Sequence, residues 1–560
     1  MAIKGKKVLS NSIYLLIGYL FLINNVLSAP ILRIEVGQHT AMINRMAVDK
    51  NAKLLATASD DKTIRLWNLP DDTLYTTLRV PIDEHLKGAL YAVAVSPDGK
   101  TVIASGETMD DKQKFSLYVF DVEKRLLKAR IPNLPSAIFH LAYSKDGNYF
   151  AAAFAGGYGI RIWDSQTGKL VAQDADYSER SNWLDFSESG LLATVSHDGY
   201  ARIYDSHFTL LKKAVLNPQG KPSSISFSGN GQLLAIGYSN LLQVDIVDLN
   251  LKPVTSLPTE KLTGTNTAIV TWQKNSNTAL FAAGDMKTEK GDFIVRHWRG
   301  IGSSDKSFRD IEVSKNIVTD IISLADTGDS KIDALFSSAD PSWGALKNDI
   351  LIDKNQANLW DARLVELPDK TFSISEDGLK IAYSQYPYAD GVTVFDATRL
   401  TLEAQDAPAF LKTLSPAIKQ NNLINITNWR RGIPVFNNKK LVFDDYEKAL
   451  TLAIDFKSNH VLIGTNYYLR WYDAHGKETK KVAVSSEVYG VNIAPNGKLA
   501  IAALGDGTLR WYSLMPGEEL NELVTLFPYN NSKDWIVWTK EGFFGSSDGG
   551  GYRLAGYHLT

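Results

Sequence analysis

Short apolar runs, each ended by a polar turn, recur along most of the 560-residue chain. Residues 54–57, 191–195 and 498–502 are clear examples, and each is four or five residues long. Runs of this length between turn residues are typical of β-strands. After residue 30, no stretch keeps the 3.6-residue apolar period of an amphipathic helix. The pattern therefore predicts strands and very little helix.

The turns themselves form a second pattern. The glycines at the ends of the first four, Gly99, Gly147, Gly190 and Gly231, lie 48, 43 and 41 residues apart. Glycine suits such turns because the backbone there must adopt a positive φ. The six clearest turns lie at 96–99, 144–147, 187–190, 228–231, 375–378 and 494–497.

A unit of four short strands every 40–45 residues is typical of a β-propeller blade. The chain is long enough for about twelve to thirteen such units, and one ring usually holds about four to eight. The sequence thus predicts an all-β fold of two tandem β-propellers with about 12–14 four-stranded blades. The least regular stretch, 299–361, should contain the boundary. We assign residues 31–355 to the first propeller and 356–560 to the second.

The N-terminus has the three parts of a secretory signal peptide. Lysines at positions 4, 6 and 7 precede a mostly apolar run at 13–27, and Ser28 and Ala29 supply the small residues. The run is shorter than the roughly 20 residues of a membrane-spanning helix. We predict a signal peptide at 1–28 with cleavage after Ser28, and a periplasmic or secreted mature protein that is not in the membrane. An uncleaved N-terminal membrane anchor is the alternative.

One unit resembles a known repeat in its residues as well as its length. Residues 37–40 read GQHT, and residues 54–68 read LLATASDDKTIRLWN. This closely resembles a WD repeat, in which a His, a Ser or Thr, an Asp and a Trp form a hydrogen-bonded tetrad. The resemblance implies that His39, Thr57, Asp61 and Trp67 form this tetrad. Its role would be structural, because a buried carboxylate needs donors that imidazole, hydroxyl and indole groups provide.

Other units carry parts of the same pattern. Thr194, Asp198 and Tyr204 match three tetrad positions, with Tyr in place of Trp and no His in register upstream. Near the C-terminus, LRWYD at 469–473 and LRWYS at 509–513 repeat with an offset of 40 residues. Successive strand residues point to opposite faces, so Trp471 and Trp511 should pack between adjacent blades.

The last 120 residues carry a narrower resemblance. They are similar to the propellers of bacterial WD-repeat proteins that accompany a caspase-like peptidase domain. A caspase-like domain needs a His–Cys pair, and this sequence has no cysteine. We therefore expect neither that domain nor its activity here. The segments that carry the resemblance are 449–454, 462–465, 505–512, 526–528, 534–544 and 554–558.

Composition narrows the chemistry further. The absence of cysteine excludes disulfides, thiolate metal sites and a cysteine nucleophile. With 60 basic and 62 acidic residues the net charge is −2, which argues against nucleic acid as a partner. The nine histidines form no local zinc motif, so no metal or other cofactor is expected. GSSDG at 545–549 fits a nucleophile elbow around Ser547, but the eleven residues after Gly549 contain His558 and no Asp or Glu, so a glycine-rich loop is the better interpretation.

These observations favour a non-catalytic, extracytoplasmic WD-repeat scaffold that binds other proteins. The partner, the binding face and the oligomeric state are not encoded in any motif. Two alternatives stay open: a propeller hydrolase or lyase with a site in its channel, and an accessory or truncated partner of a separately encoded caspase-like peptidase.

Overall fold

The computed structural model confirms the all-β prediction, since antiparallel sheets account for nearly all of the regular structure. It describes residues 31–34, 37–69, 71–81, 88–110, 112–324, 332–356, 362, 365, 372–384, 391–406, 411–430, 432–444, 447–484, 486–517, 519–529, 534–550 and 555–558. The predicted signal peptide at 1–28 lies outside the described residues.

The described residues between Ile43 and Gln356 form seven successive sheets, which we number blades 1 to 7. Each is a meander in which the first long strand is innermost. The strands are Ile43–Val48, Leu54–Ser59, Thr63–Asn68 and Thr73–Arg79 in blade 1; Leu90–Val95, Thr101–Gly106, Phe115–Asp121 and Leu126–Leu134 in blade 2; Ile138–Tyr143, Tyr149–Phe154, Ile160–Asp164 and Leu170–Asp174 in blade 3; Ser181–Phe186, Leu192–Ser196, Tyr200–Tyr204 and Leu210–Val215 in blade 4; Pro222–Phe227, Leu233–Tyr238, Val244–Asp248 and Pro253–Leu257 in blade 5; Thr263–Gly264, Ile269–Trp272, Leu280–Ala283, Met286–Lys287, Phe293–Arg299 and Ser307–Ser314 in blade 6; and Val318–Ser323, Ala334–Ser338, Ser342–Lys347 and Ile350–Gln356 in blade 7. A 3-10 turn, Gly156–Tyr158, joins two strands of blade 3.

The seven blades close into one ring because blade 7 packs on blade 1. The carboxylate of Asp320 accepts the backbone N–H of Met46 at 2.9 Å, and the hydroxyl of Thr319 donates to the carbonyl of Ile43 at 2.5 Å. One apolar cluster joins Trp67 of blade 1 to Trp343 of blade 7. The first propeller therefore has seven blades, and every blade buries its two faces against neighbours.

The predicted turns occupy the same place in each blade. Those of the first ring join the innermost strand to the second strand in blades 2 to 5. The six turn glycines all have φ between +70° and +86°, as the sequence pattern requires. In blade 2 the hydroxyl of Ser96 donates to Asp98 at 2.6 Å and accepts the backbone N–H of Thr101 at 2.9 Å. Ser144 and Ser375 make the same pair of contacts in their own turns.

The described residues from 373 to 546 continue the β architecture and form four sheets, numbered 8 to 11. Sheet 11 packs on sheets 8 and 10, and sheet 9 packs on sheet 10. Separately, the short strands Ile31–Ile34 and Ala555–His558 pair with each other. The strands are Ser373–Ile374, Lys380–Tyr383, Gly391–Asp396, Thr401–Asp406 and Ser415–Pro416 in sheet 8, where a 3-10 turn, Leu411–Thr413, precedes the last strand; Ile426–Thr427, Val435–Phe436 and Lys439–Lys440 in sheet 9; Ala449–Ile454, Val461–Thr465, Tyr468–Tyr472 and Glu478–Ala483 in sheet 10; and Val488–Ile493, Leu499–Leu504, Leu509–Ser513, Glu522–Pro528, Trp535–Trp538 and Phe544–Ser546 in sheet 11.

Candidate functional site

The four residues of the tetrad in blade 1 lie within hydrogen-bond distance of one another. Trp67 donates its indole N–H to the hydroxyl of Thr57 at 3.0 Å. That hydroxyl lies 2.7 Å from Nε2 of His39, whose Nδ1 lies 2.8 Å from the carboxylate of Asp61. All four side chains are at most 4% exposed. The chain of contacts therefore ties the strands of one blade together from within.

Asp61 is the charged end of this chain of contacts. Burial alone would raise the pKa of Asp61, but the charge and hydrogen bond of His39, with help from Arg65, lower it well below the usual range. The backbone N–H groups of Thr40 and Thr63 also donate to the carboxylate. These contacts keep a carboxylate ionised inside the blade, which suits a structural role.

Blade 4 arranges the partial set differently from the tetrad. Thr194 and Tyr204 do not contact each other directly, because the hydroxyl of Tyr177 lies between them, 2.7 Å from Thr194 and 3.0 Å from Tyr204. Asp198 instead accepts a hydrogen bond from Arg202 at 2.7 Å. Tyr177 precedes Thr194 by 17 residues and His39 precedes Thr57 by 18. The WD-repeat pattern has histidine at this position and therefore does not identify Tyr177, although the spacing of Tyr177 was a usable signal.

The two C-terminal tryptophans lie in the packed interior. Trp471 belongs to the cluster between sheets 10 and 11 and stacks on His460, with ring centroids 5.4 Å apart. Trp511 belongs to the cluster between sheets 11 and 8, and its indole N–H donates to the carbonyl of Gly378 at 2.8 Å. Both are less than 10% exposed.

Ser547 has a local structural use. Its hydroxyl accepts the backbone N–H groups of Trp535 and Gly550, each at 3.1 Å, and donates to Asp534 at 3.2 Å. An oxygen that accepts an N–H three residues ahead is the geometry of a helix N-cap. Across the described segments of the chain, no cluster of three or more His, Asp or Glu side chains could hold a metal ion.

A β-bulge recurs in the first ring, and no sequence pattern predicted it. In six blades the pairing of the innermost strand with its neighbour skips the second residue of the innermost strand. A bulge adds one unpaired residue and redirects its side chain. The six skipped residues, blades 1 to 5 and 7 in order, are Asn44, Tyr91, Phe139, Asn182, Ser223 and Thr319.

Three of the six bulge residues form hydrogen bonds from one blade to the next. Asn44 donates to the carbonyl of Leu90 at 3.0 Å, and Asn182 donates to that of Pro222 at 3.0 Å. Thr319 makes the equivalent bond from blade 7 to blade 1. In each case the acceptor is the first residue of the next innermost strand. These polar bulges are therefore used in closing the ring.

Blades 2 and 3 depart from this use because their bulge residues are aromatic. The rings of Tyr91 and Phe139 stack with centroids 5.9 Å apart and planes 19° apart. The guanidinium of Arg180, from blade 4, lies 5.3 Å from the Phe139 centroid and donates through Nε to His197 at 3.1 Å. We call these four half-buried side chains the aromatic–arginine patch. It lies on the entry face, where the innermost strands begin.

His197 is held in its neutral form within the patch. Burial, followed by the positive charges of Arg180 and Lys221, lowers the pKa of His197 to about 3. A neutral ring can accept at Nδ1 from Arg180 and donate at Nε2 to Ser239, whose hydroxyl is 3.0 Å away. The hydrogen bond to His197 thus helps to keep the guanidinium of Arg180 over the ring of Phe139.

The channel of the ring is crossed near its middle. Arg45 of blade 1 places its guanidinium 4.5 Å from the ring centroid of Trp183 in blade 4. Blades 1 and 4 are not neighbours, so this contact spans the channel. His140 of blade 3 stacks on the same indole at 4.1 Å, and the backbone carbonyl of Thr319 accepts from Arg45 at 3.1 Å. The two mouths of the channel are therefore separate sites.

Comparison with known proteins agrees with this architecture. Residues 32–68, which end with the third strand of blade 1, match the family model described as WD domain, G-beta repeat. No helix in the described portion of the chain is long and apolar enough to cross a membrane.

The chain is also similar to several curated proteins. It is 26% identical over 244 residues to pre-mRNA-processing factor 19 homolog 2 of Arabidopsis thaliana, covering 41% of this chain and 43% of that protein. It is 23% identical over 212 residues to autophagy-related protein 16 of the same plant, covering 38% and 39%. It is 21% identical over 212 residues to apoptotic protease-activating factor 1 of Danio rerio, covering 37% and 16%.

The chain spans less than half the length of each of these relatives. They are eukaryotic, so the bacterial, peptidase-linked resemblance of the C-terminal region stays a prediction. The repeat in blade 1 and the similarity to WD-repeat relatives agree with each other, and together they support a WD-repeat protein.

Proposed function

We propose that this chain is a non-catalytic, extracytoplasmic scaffold that binds a protein partner through the aromatic–arginine patch of its first ring. WD-repeat relatives support a role in protein interaction in general. The observation that carries the finer proposal is the pair of aromatic bulge residues, Tyr91 and Phe139. At the same bulge position, blades 1, 4 and 7 have polar side chains that hydrogen-bond to the next blade, whereas these two aromatic rings stack on each other.

The composition of the patch suits protein recognition. Tyr and Arg are enriched among residues that contribute most to binding free energy, and such residues act best when a partner excludes water from them. Here Arg180 and Phe139 are already stacked, so little side-chain entropy is lost when a partner covers them. The ring beneath them is closed by hydrogen bonds from blade to blade, which gives the patch a rigid support.

The extracytoplasmic part of the proposal rests on residues 1–29. Their basic start, short apolar run and small residues are what a signal peptidase substrate requires. The lack of cysteine suits an oxidising compartment, because no free thiol is exposed to unwanted oxidation.

The experiment compares three forms of the mature protein as baits in the envelope fraction of its own host. The patch variant is Tyr91→Ala/Phe139→Ala. The matched control is Phe456→Ala, which removes an aromatic side chain that is 74% exposed in sheet 10. We expect one or more proteins to be recovered by wild type and by the control, and to bind the patch variant at least about tenfold more weakly, or 1.4 kcal/mol.

Equal recovery by all three baits would contradict the assignment of the patch. Recovery of no protein by wild type would contradict the scaffold itself. A stoichiometric metal in the purified protein would favour the propeller-enzyme alternative. Recovery of a caspase-like chain would identify the partner that the C-terminal resemblance suggests.

A further inference from the structure

Two carboxylates lie beside Tyr91, at the blade 2 end of the aromatic–arginine patch. The side-chain amide of Asn44 donates to the carboxylate of Asp60 at 2.7 Å and to the carbonyl of the residue that precedes Tyr91 at 3.0 Å. Glu107 is held to the same segment, because its backbone N–H donates to the carbonyl two residues before Tyr91 at 2.8 Å. Both acidic residues are half-buried. We call Asp60 and Glu107 the acidic flank.

The negative charge of the acidic flank is not balanced by a cation of the chain. Neither carboxylate has an ion-pair partner within the described residues. Burial raises the pKa of Asp60 to about 7, and the charges of Asp61 and Glu487 add to this effect, against the hydrogen bond from Asn44. Burial also raises the pKa of Glu107. A cation placed beside the flank would therefore be bound favourably, because it stabilises carboxylates that burial disfavours.

Tyr91 adds a flat aromatic surface to the acidic flank. One face of its ring stacks on Phe139, and among the described residues no further ring or cation contacts Tyr91. Burial, and then the charges of Asp60 and Glu107, raises the pKa of Tyr91, which agrees with carboxylates placed beside the phenol. The site therefore combines an aromatic ring with two carboxylates and has no cation of its own in these contacts.

The same ring shows which cation suits an aromatic surface of this kind. The guanidinium of Arg180 lies 5.3 Å from the centroid of Phe139, and that of Arg45 lies 4.5 Å from the centroid of Trp183. A guanidinium is planar, so it can stack on an aromatic ring and still direct paired N–H groups at a carboxylate. The ammonium of lysine is a compact, strongly hydrated charge and does both less well.

We propose that the partner protein places an arginine side chain on Tyr91, where its guanidinium stacks on the ring and pairs with the acidic flank. This inference rests on the proposed function and specifies the chemistry of the partner. Charge complementarity carries it, because the carboxylates of Asp60 and Glu107 have no cation in the chain and lie next to an aromatic ring. The partner segment is therefore basic where it meets blades 1 and 2.

The test is calorimetric titration of the purified mature protein with three short peptides. They are acetyl-Gly-Arg-Gly-amide, the same peptide with citrulline in place of arginine, and the same peptide with lysine. Titrations are run at pH 8, where the carboxylate of Asp60 is ionised. We expect the arginine peptide to bind at least tenfold more tightly than the citrulline peptide and at least threefold more tightly than the lysine peptide. Its affinity should fall as salt is raised.

Matched variants locate the binding. Asp60→Asn/Glu107→Gln removes the charge of the flank and keeps an acceptor for Asn44, and Tyr91→Leu removes the aromatic face but keeps an apolar side chain. Each should weaken the arginine peptide at least fivefold and abolish its preference over citrulline. The controls are Glu123→Gln, at an exposed turn of blade 2, and Tyr158→Ala, at a tyrosine that is 50% exposed, and both should bind as wild type does. Thermal melts check that every variant is folded.

Several results would overturn the arginine assignment: no binding of the arginine peptide, equal binding of the arginine and citrulline peptides, or an equal loss in the controls. Titration with calcium chloride supplies a further check, since uptake of calcium by the flank without a preference for arginine would assign the carboxylates to a metal ion. Capture of a partner without arginine binding would discard this inference and keep the proposed function. Specific arginine binding with no captured partner would discard the scaffold and keep a site for a basic ligand.

Discussion

Trp67 and Trp343 meet edge to face where the first ring closes, with ring centroids 5.5 Å apart and planes at 61°. Each belongs to the third strand of its blade, Trp67 in blade 1 and Trp343 in blade 7. Trp67 also donates to Thr57 within the tetrad. One side chain therefore serves both the interior of the first blade and the seam between the first blade and the last.

Removing this side chain should weaken the whole ring. We expect Trp67→Ala to lower the free energy of unfolding by about 3–5 kcal/mol, as for other large-to-small changes in a core. Urea denaturation followed by circular dichroism measures the change. Phe456→Ala, at an exposed position, should stay within about 0.5 kcal/mol of wild type. Superimposed curves for Trp67→Ala and wild type would show that the first-blade assignment is wrong.

The contribution of the Thr57 hydroxyl to stability can be separated from the contribution of the side-chain volume. Thr57→Val keeps the volume but leaves the indole N–H of Trp67 and Nε2 of His39 without their shared partner. We expect a loss of about 2 kcal/mol in the free energy of unfolding, because unsatisfied buried polar groups cost about 1–3 kcal/mol. Thr57→Ser retains the hydroxyl and should lose clearly less. Equal losses for Val and Ser would assign the effect to packing alone.

The first blade and the fourth show how far the sequence could predict the site. In blade 1 the tetrad consists of side chains with strong hydrogen-bonding roles at fixed spacings, so it could be assigned residue by residue. In blade 4 the position of histidine is taken by Tyr177, which bridges Thr194 and Tyr204 through one hydroxyl. A search for one residue type misses such a replacement, because the fold requires a hydrogen-bonding group at that place and several side chains supply one.

The bulges could not be predicted at all. A bulge is a property of the register between two strands, and the six skipped residues range from Asn44 to Phe139 in chemistry. The turns could be predicted, because a positive φ favours glycine so strongly that glycine recurs at this position of the sequence. The sequence therefore predicted the blade length and the turns, whereas the aromatic–arginine patch could be recognised only from the structure.

Asp320 should make stability depend on pH in an unusual direction. Burial raises the pKa of Asp320 to about 6, against the opposing effects of Arg45 and two backbone N–H groups. A raised pKa gives stability that is present below the unfolded value of about 4 and is lost as pH rises through 6. Relative to Asp320→Asn, the free energy of unfolding of wild type should fall by about 2 kcal/mol between pH 4 and pH 7, since at pH 4 about half of the unfolded-state carboxyl is already ionised. A difference that is flat with pH, or that rises, would contradict this.

The contact of Arg45 with Trp183 across the channel is a further target. Arg45→Met removes a partly desolvated cation–π contact and the positive charge that moderates Asp320. We expect a loss of about 2 kcal/mol in the free energy of unfolding. Adding Asp320→Asn should recover part of it, since no buried carboxylate is then left without its cation. If Asp320→Asn destabilises the Arg45→Met variant as much as it destabilises the wild type, the two residues act independently.

The N-terminal prediction has a direct chemical readout. Sequencing of the protein recovered from its native host should begin at Ala29, because cleavage is expected after Ser28. The recovered protein should be in the periplasmic or culture fraction. An intact start at Met1 in the membrane fraction would instead show an uncleaved anchor.

The aromatic–arginine patch is the surface that we propose binds a partner protein. The most direct measurement places the photoreactive residue p-benzoylphenylalanine at position 139, or at position 456 as the control, and irradiates cells of the native host. We expect a discrete covalent adduct with another protein from position 139 and none of that mass from position 456. The absence of an adduct from position 139, or the same adduct from both positions, would contradict it.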